Sequence, residues 1–324
     1  MHTHGNSTTT GIPMTTGIPM TTARYHIEHE TRYVYTAPVS QSWQLARLTP
    51  RLLPWQTVLQ QSIAIEPPPD ERHDARDSFG NTVTHFGLHG AHRVLSVRMQ
   101  CTVDVADRDA HGTALRVLPQ TPFDLPDRPW EAVRDALKLL QHSDDLAALG
   151  LTEATPLLPL SEAARVYGAV SLRQGGSWMS AVMNLMHRIH HDFEFEAGVT
   201  TVSTSVDEVL QQRRGVCQDF AHLMLSCLRA HGLPARYVSG YLRTDPPEGQ
   251  ARLFGVDASH AWVAAYAPGC GWIEFDPTNN QLADTRYITL AWGADFADVV
   301  PLRGVILGGG SQSMQVRVTV VPVE

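Results

Sequence analysis

Long apolar runs are missing from this chain. No stretch approaches the roughly 18 uninterrupted apolar residues of a helical membrane span, so none is expected. The N-terminus, MHTHGNSTTT, lacks the basic-then-apolar layout of an export signal, and a cytoplasmic location is the expectation. Basic charge is also short: Lys and Arg total 25 against 33 Asp and Glu, a net charge of −8. With no basic stripe or RNA-binding motif, nucleic acid is not the expected partner. Cysteine is scarce, at four positions (101, 217, 227 and 270), none with metal-ligand spacing. HExxH is absent as well, so neither metal nor cofactor is expected, and sparse free thiols suit a reducing compartment.

What remains is ordinary globular material: 324 residues, 43% hydrophobic and 18% charged, enough for two domains with sizeable cores. Residues 1–22 contain the near-duplicate TTTGIPMTTGIPM, which cannot bury a face and reads as a disordered leader. Residues 23–121 read as a β-rich domain. RYHIEHETRYVY, VLQQSIAIEP and NTVTHFGLHGAHRVLSVRMQCTVDV alternate as strands do, with turn material at Pro67–Asp70 and Ser78–Asn81. His85, His89 and His92 invite a metal reading, but a strand puts His92 on the other face, and no cysteine or acid completes a set. Pro122–Pro129 reads as a linker opening the second domain, 122–324. Helices are expected over Trp130–Gln141, Asp144–Leu149 and Ser177–His190, with a capped short helix from Ser205. His190 and His191 end the third, where a helix C-terminus favours histidine without any ligand role. Ser313–Val323 alternates as a final strand, and Gly308–Gly310 gives it freedom to reach a distant sheet edge.

The chemistry concentrates in RRGVCQDFAHLMLSCLRAHGLPARYVSGYL. Phe220, Leu223, Met224, Cys227 and Leu228 recur at helical spacing, Gly232–Pro234 stops the helix, and Ala235–Leu242 follows as a strand. Cys217 opens that helix, where unpaired N–H groups and the positive dipole end favour a thiolate. Free cysteines are often simply buried, and Cys227, nearly three turns deeper, reads that way. Asp219 suits the first turn on dipole grounds alone. Cys217 differs because a base and its orienter follow in DASHAWVAAYAPGCGWIEFDPTNN. Two strands joined by the turn Pro268–Gly271 bring His260 beside Asp276. The pattern is nucleophile, base and orienter. Trp262 is a candidate to line an acyl pocket and Tyr241 to contribute to an oxyanion site, with core packing the alternative for both.

These motifs, G-V-C-Q-D-F-A-H-L, G-L-P-A-R-Y-V-S-G-Y, S-H-A-W-V and W-I-E-F-D-P-T, resemble the transglutaminase-like superfamily. The likeness is greatest to a bacterial branch with its own N-terminal β-rich domain. It is strongest over residues 166–290. Ala264 stands where bacterial relatives often carry glutamate (H-A-W-x-E), which puts any role of that acid in question. The resemblance implies an α+β chain, an N-terminal antiparallel β domain followed by a papain-like core with the thiol at a helix N-terminus and His and Asp on adjacent strands. It also implies thiol-dependent acyl transfer on a peptide or protein substrate, with peptide or isopeptide hydrolysis preferred. The alternatives are transfer to an amine, as in a glutamine transglutaminase or amide ligase, and a non-catalytic binding scaffold. Oligomeric state is not legible.

Overall fold

The computed structural model describes residues 22–108, 128–244 and 259–323. The leader, save residue 22, and most of the expected linker lie outside these residues. One 25-residue strand, β1 (Thr22–Ala46), organises the first sheet. Its inward positions, among them Tyr25, Ile27, His29 and Thr31, are buried at the two-residue period of a pleated strand. The register shifts between Val34 and Val39, around Pro38, which has no N–H to give the ladder. Before this bend β1 lies between β5 (His92–Ala106) and β14 (Gln312–Pro322). After it, β1 lies between β4 (Thr82–Leu88) and β13 (Leu302–Gly308). β2 (Gln56–Glu66) flanks β5, and β3 (Glu71–Arg76) flanks β4. β3 was not legible: its sequence, ERHDAR, is exposed throughout and has no apolar face.

The C-terminal strand, whose destination the sequence leaves open, returns to the first sheet. It leaves the second domain and pairs with β1 of the first, Tyr33 opposite Met314 and Ile27 opposite Val320. The turn before it allows the return. Gly308, Gly309 and Gly310 have φ of +90°, +88° and +64°, a region that strains other residues. A Cβ at Gly308 would meet the Pro38 carbonyl oxygen at 2.7 Å, so the turn sits directly on the bend of β1.

Among the described residues the second domain has six α-helices: α1 (Trp130–Leu137), α2 (Asp145–Leu149), α3 (Glu162–Ala169), α4 (Trp178–Asp192), α5 (Val206–Gln212) and α6 (Cys217–Arg229). Short strands β6 (Glu194–Phe195) and β7 (Arg214–Gly215) pair parallel ahead of α6. Then come β8 (Ala235–Leu242), β9 (Ser259–Ala267), β10 (Gly271–Asp276), β11 (Gln281–Leu282) and β12 (Tyr287–Gly293), in an antiparallel sheet ordered β11-β10-β9-β8-β12. α6 lies on β8 and β9. Phe220, Leu223, Met224, Cys227 and Leu228 share one core with Ala235, Tyr237, Ala261, Val263 and Ala265. The alanines of β9 let the helix backbone approach closely. Ser205 caps α5 in a reciprocal box with Glu208, and Ser177 caps α4, matching the expected starts of both helices.

The two sheets are joined by side-chain amides acting as backbone. Gln56 is fully buried. Its Nε2 donates to the Thr289 carbonyl at 2.8 Å, and its Oε1 accepts from the Thr289 N–H at 2.8 Å. Asn81 repeats the arrangement at Trp292, at 2.8 and 3.0 Å. These bonds close the edge strand β12 at its bulge between Thr289 and Ala291. Gln56→Leu should therefore cost roughly 1–3 kcal/mol, because it strands the buried Thr289 N–H, while the Thr289 carbonyl keeps its bond from the Arg51 N–H. Urea unfolding checks this: the midpoint should fall at unchanged slope, and an unshifted midpoint would show that the amide does not hold the interface.

Candidate active site

The site begins with how the chain enters α6. Val216 precedes the helix, and its N–H donates to Asp219 Oδ2 at 2.8 Å, while the Thr200 hydroxyl donates to the same oxygen at 2.6 Å. Asp219 thus caps the helix, and burial raises its pKa despite those bonds. Gly215 makes room for it, since a Cβ there would meet the carboxylate at 2.8 Å. The result is a fixed first turn with Cys217 at its first helical position, half-buried.

His260 lies at the start of β9 and Asp276 at the end of β10. Phe275 opposite Val263 is the last registered pair of this hairpin, so the two side chains meet on the diagonal. His260 Nε2 is 2.8 Å from Asp276 Oδ2, and the His260 ring shares the cleft with Cys217. Burial opposes the imidazolium. The bond to Asp276 and the neighbouring Cys217 outweigh it and push the His260 pKa up to about 10. Asp276 has no exposed surface and accepts from five donors. The N–H groups of Thr278 and Asn279 bond Oδ1 at 2.8 and 3.2 Å. Asn279 Nδ2, the Tyr287 hydroxyl and His260 converge on Oδ2. Burial alone would raise this carboxyl, but the cationic ring and these donors hold it below its usual value.

The loop after Asp276 is anchored from outside. His190 Nδ1 donates to the Thr278 carbonyl at 2.9 Å, and Asn280 donates to His187 Nδ1 at 3.0 Å. The end of α4 therefore holds the loop that shapes the carboxylate. This was missed in the sequence, although Asp-Pro-Thr-Asn is a legible signal for a carboxylate bonding N–H groups just downstream.

Trp262 and Tyr241 take the core-packing reading. Trp262 does not line the cleft that holds Cys217. It is fully buried, and its ring lies 6.0 Å from the His260 ring at an interplanar angle of 26°. Its Nε1 donates to Glu274 at 2.6 Å. Trp262 therefore backs the imidazole and does not meet an acyl group. Glu274 sits directly across from Ala264 and forms a buried ion pair with Arg108. An acid thus stands on the neighbouring strand opposite the position where relatives' glutamate is absent here. Tyr241 is likewise fully buried, its hydroxyl 2.8 Å from His29 Nδ1 of the first sheet, where it joins the domains and does not face Cys217. Of β8, Tyr237 and Ser239 line the cleft.

Those two residues, Cys217, Gln218 and His260 line a cleft of about 300 Å³. Its opposite wall comes from the first sheet and its returning strand: Thr31 and Tyr33 of β1, Met314 and Val316 of β14. The described residues thus bring a thiol, an imidazole and a carboxylate to the mouth of a largely apolar cleft between two sheets.

Comparison with known proteins agrees with this architecture. Residues 25–104 match the family model described as a bacterial transglutaminase-like N-terminal region, and 170–277 match that of the transglutaminase-like superfamily. An uncharacterized protein of Mycobacterium tuberculosis is 40% identical over 313 residues, 93% of each chain. Another, from Mycobacterium leprae, is 30% identical over 300 residues, covering 92% of this chain and 98% of its own. A protein-glutamine gamma-glutamyltransferase of Pseudomonas aeruginosa is 34% identical over 123 residues, 36% of this chain and 18% of that one. A solved structure of a candidate cysteine protease from Cytophaga hutchinsonii shares the fold at TM-score 0.71 and 20% identity, covering 94% and 92% of the two chains. By its sequence and both of its domains, the chain belongs to the transglutaminase-like superfamily, with the bacterial N-terminal region ahead of the core.

Proposed function

We propose that this protein breaks amide bonds by thiol-dependent acyl transfer, with Cys217 as nucleophile, His260 as acid and base, and Asp276 as orienter. The observation carrying this reading is the ring of His260: Nε2 is committed to Asp276, which leaves Nδ1 for the thiol. The raised pKa of His260 keeps a proton on the imidazole at neutral pH. Sulfur attacks the carbonyl carbon, and the developing oxyanion takes a hydrogen bond from the Cys217 N–H, one of the first amides a helix leaves unpartnered. As the C–N bond breaks, His260 passes its proton to the leaving amine, and a thioester to Cys217 remains. A water, deprotonated by the now neutral imidazole, attacks the thioester and releases the acid, and the proton returns to the ring.

Hydrolysis of a peptide or isopeptide is the reading we prefer. The similarity to a protein-glutamine gamma-glutamyltransferase supports a second, in which a primary amine takes the place of water. The test is to incubate the protein with a peptide library, quench in acid and identify adducts by mass spectrometry. A thioester on Cys217 is the expected result, and its absence under conditions that consume substrate would refute the mechanism. Adding excess cadaverine then separates the readings: free acid alone supports hydrolysis, whereas cadaverine amide supports transfer.

A further inference from the structure

The wall facing Cys217 carries information about what the cleft accepts. Along the paired strands β1 and β14, cross-strand partners share a face, and three successive pairs descend into the cleft: Tyr33–Met314, Thr31–Val316 and His29–Val318. The first pair forms the rim, with Met314 57% exposed, and the last is closed, with His29 and Val318 each 1% exposed. The connector from β12 to β13 adds Phe296, Val300 and Pro301 to the lining, and Leu302 opens β13 beside them. The floor carries no charge at neutral pH. His29 has both ring nitrogens engaged, with Tyr241 at 2.8 Å and Thr31 at 3.0 Å, and burial lowers its pKa to about 4.

A charged group pressed into such a wall leaves water without gaining a partner and is penalised by several kcal/mol, whereas an apolar group gains from the same transfer. The first domain and the C-terminal strand therefore do more than brace the core. We infer that they form the acyl-side specificity wall, with Tyr33, Met314, Val316 and Phe296 selecting an uncharged, apolar acyl donor.

This inference rests on Cys217 being the nucleophile, and the experiment keeps the two apart. The probes are p-nitrophenyl esters of hexanoate, monoadipate and 6-aminohexanoate, which place a neutral, an anionic and a cationic chain at the same acyl position and are too long for ready closure to an anhydride or lactam. Nitrophenolate release and the mass of acylated Cys217 are followed together, each rate divided by that of the same ester with N-acetylcysteine. The hexanoate should acylate at least about tenfold faster than either charged ester, within the range one pocket contact commands. Met314→Lys places a cation on the exposed rim, where the fold tolerates it. It should shift the adipate-to-hexanoate ratio by about tenfold toward adipate. Equal normalised rates for the three esters in the native protein would overturn the inference and leave the nucleophile standing. So would a ratio unmoved by Met314→Lys. If no ester acylates Cys217, both readings fall.

Discussion

Cys217→Ala should remove turnover almost completely, by about 10⁴-fold or more, since nucleophile loss in a concerted catalytic set costs that much or more. Folding should survive, with the unfolding free energy changed by no more than about 1 kcal/mol, because a half-buried side chain at a helix start contributes little packing. The same variant settles which thiol is reactive. Cys101, Cys227 and Cys270 are buried, and burial pushes them up to about 12, 12 and 11. At neutral pH these three are protonated and enclosed. Limited iodoacetamide treatment of the native protein should therefore modify one thiol, and Cys217→Ala should modify none. Wild-type turnover in the variant would remove the nucleophile from the mechanism and return the chain to a binding role.

Local chemistry made this much of the site readable. A helix entered at Cys217 and stopped at Gly232 is encoded within some twenty residues, and so is a hairpin closed by Pro268–Gly271. Each catalytic candidate sits on one of these short-range elements. What the sequence did not disclose is long-range. Alternation in β8 assigns Tyr237, Ser239 and Tyr241 to one face but is silent on how far along it the first sheet covers that face. Tyr241 ended under His29, whereas Tyr237 stayed in the cleft. Trp262 is adjacent to the same problem: an aromatic beside a catalytic candidate is equally at home in a pocket or behind it. Its bond to Glu274, on the same cross-strand diagonal that joins His260 to Asp276, decided the matter.

The return of β13 and β14 to β1 was not legible in the sequence, and one wall of the cleft depends on it. Pairing Tyr25 with Pro322 joins the two ends of the described chain across a loop whose closure no local pattern records. The glycine run announced freedom but not destination. Because Met314 and Val316 arrive by this route, the cleft is a product of the whole chain, and the core region alone would lack one wall.

His260→Ala should have the second largest effect: about 10²–10⁴-fold in turnover, the usual worth of a positioned acid–base group. Asp276→Asn should cost less, since the N–H groups of Thr278 and Asn279 still hold the remaining carbonyl oxygen. The pH dependence identifies the cause. The imidazole has an ordinary pKa of about 6.5, and in the fold it rises to about 10. Folding thus raises it, so the stability contributed by its charged pairing is complete below pH 6.5 and is lost as pH climbs through about 10. Wild-type stability should decline over that window, and His260→Ala should flatten the decline. Alkylation follows the same logic from the sulfur side. An ordinary thiol with pKa about 8.5 is only roughly 0.3% thiolate at pH 6, whereas one facing a persistent imidazolium is ionised there to a far greater extent. Replacing His260 should therefore slow iodoacetamide labelling of Cys217 at pH 6 by about tenfold to a hundredfold. The lower nucleophilicity of a stabilised thiolate keeps the ratio from being larger. Measured across pH 5 to 10, the wild type should label well at the acid end, and the variant only as an alkaline titration. Identical alkaline titrations in both proteins would mean that the imidazolium does not act on the thiol, and the thiolate–imidazolium mechanism would fail with it.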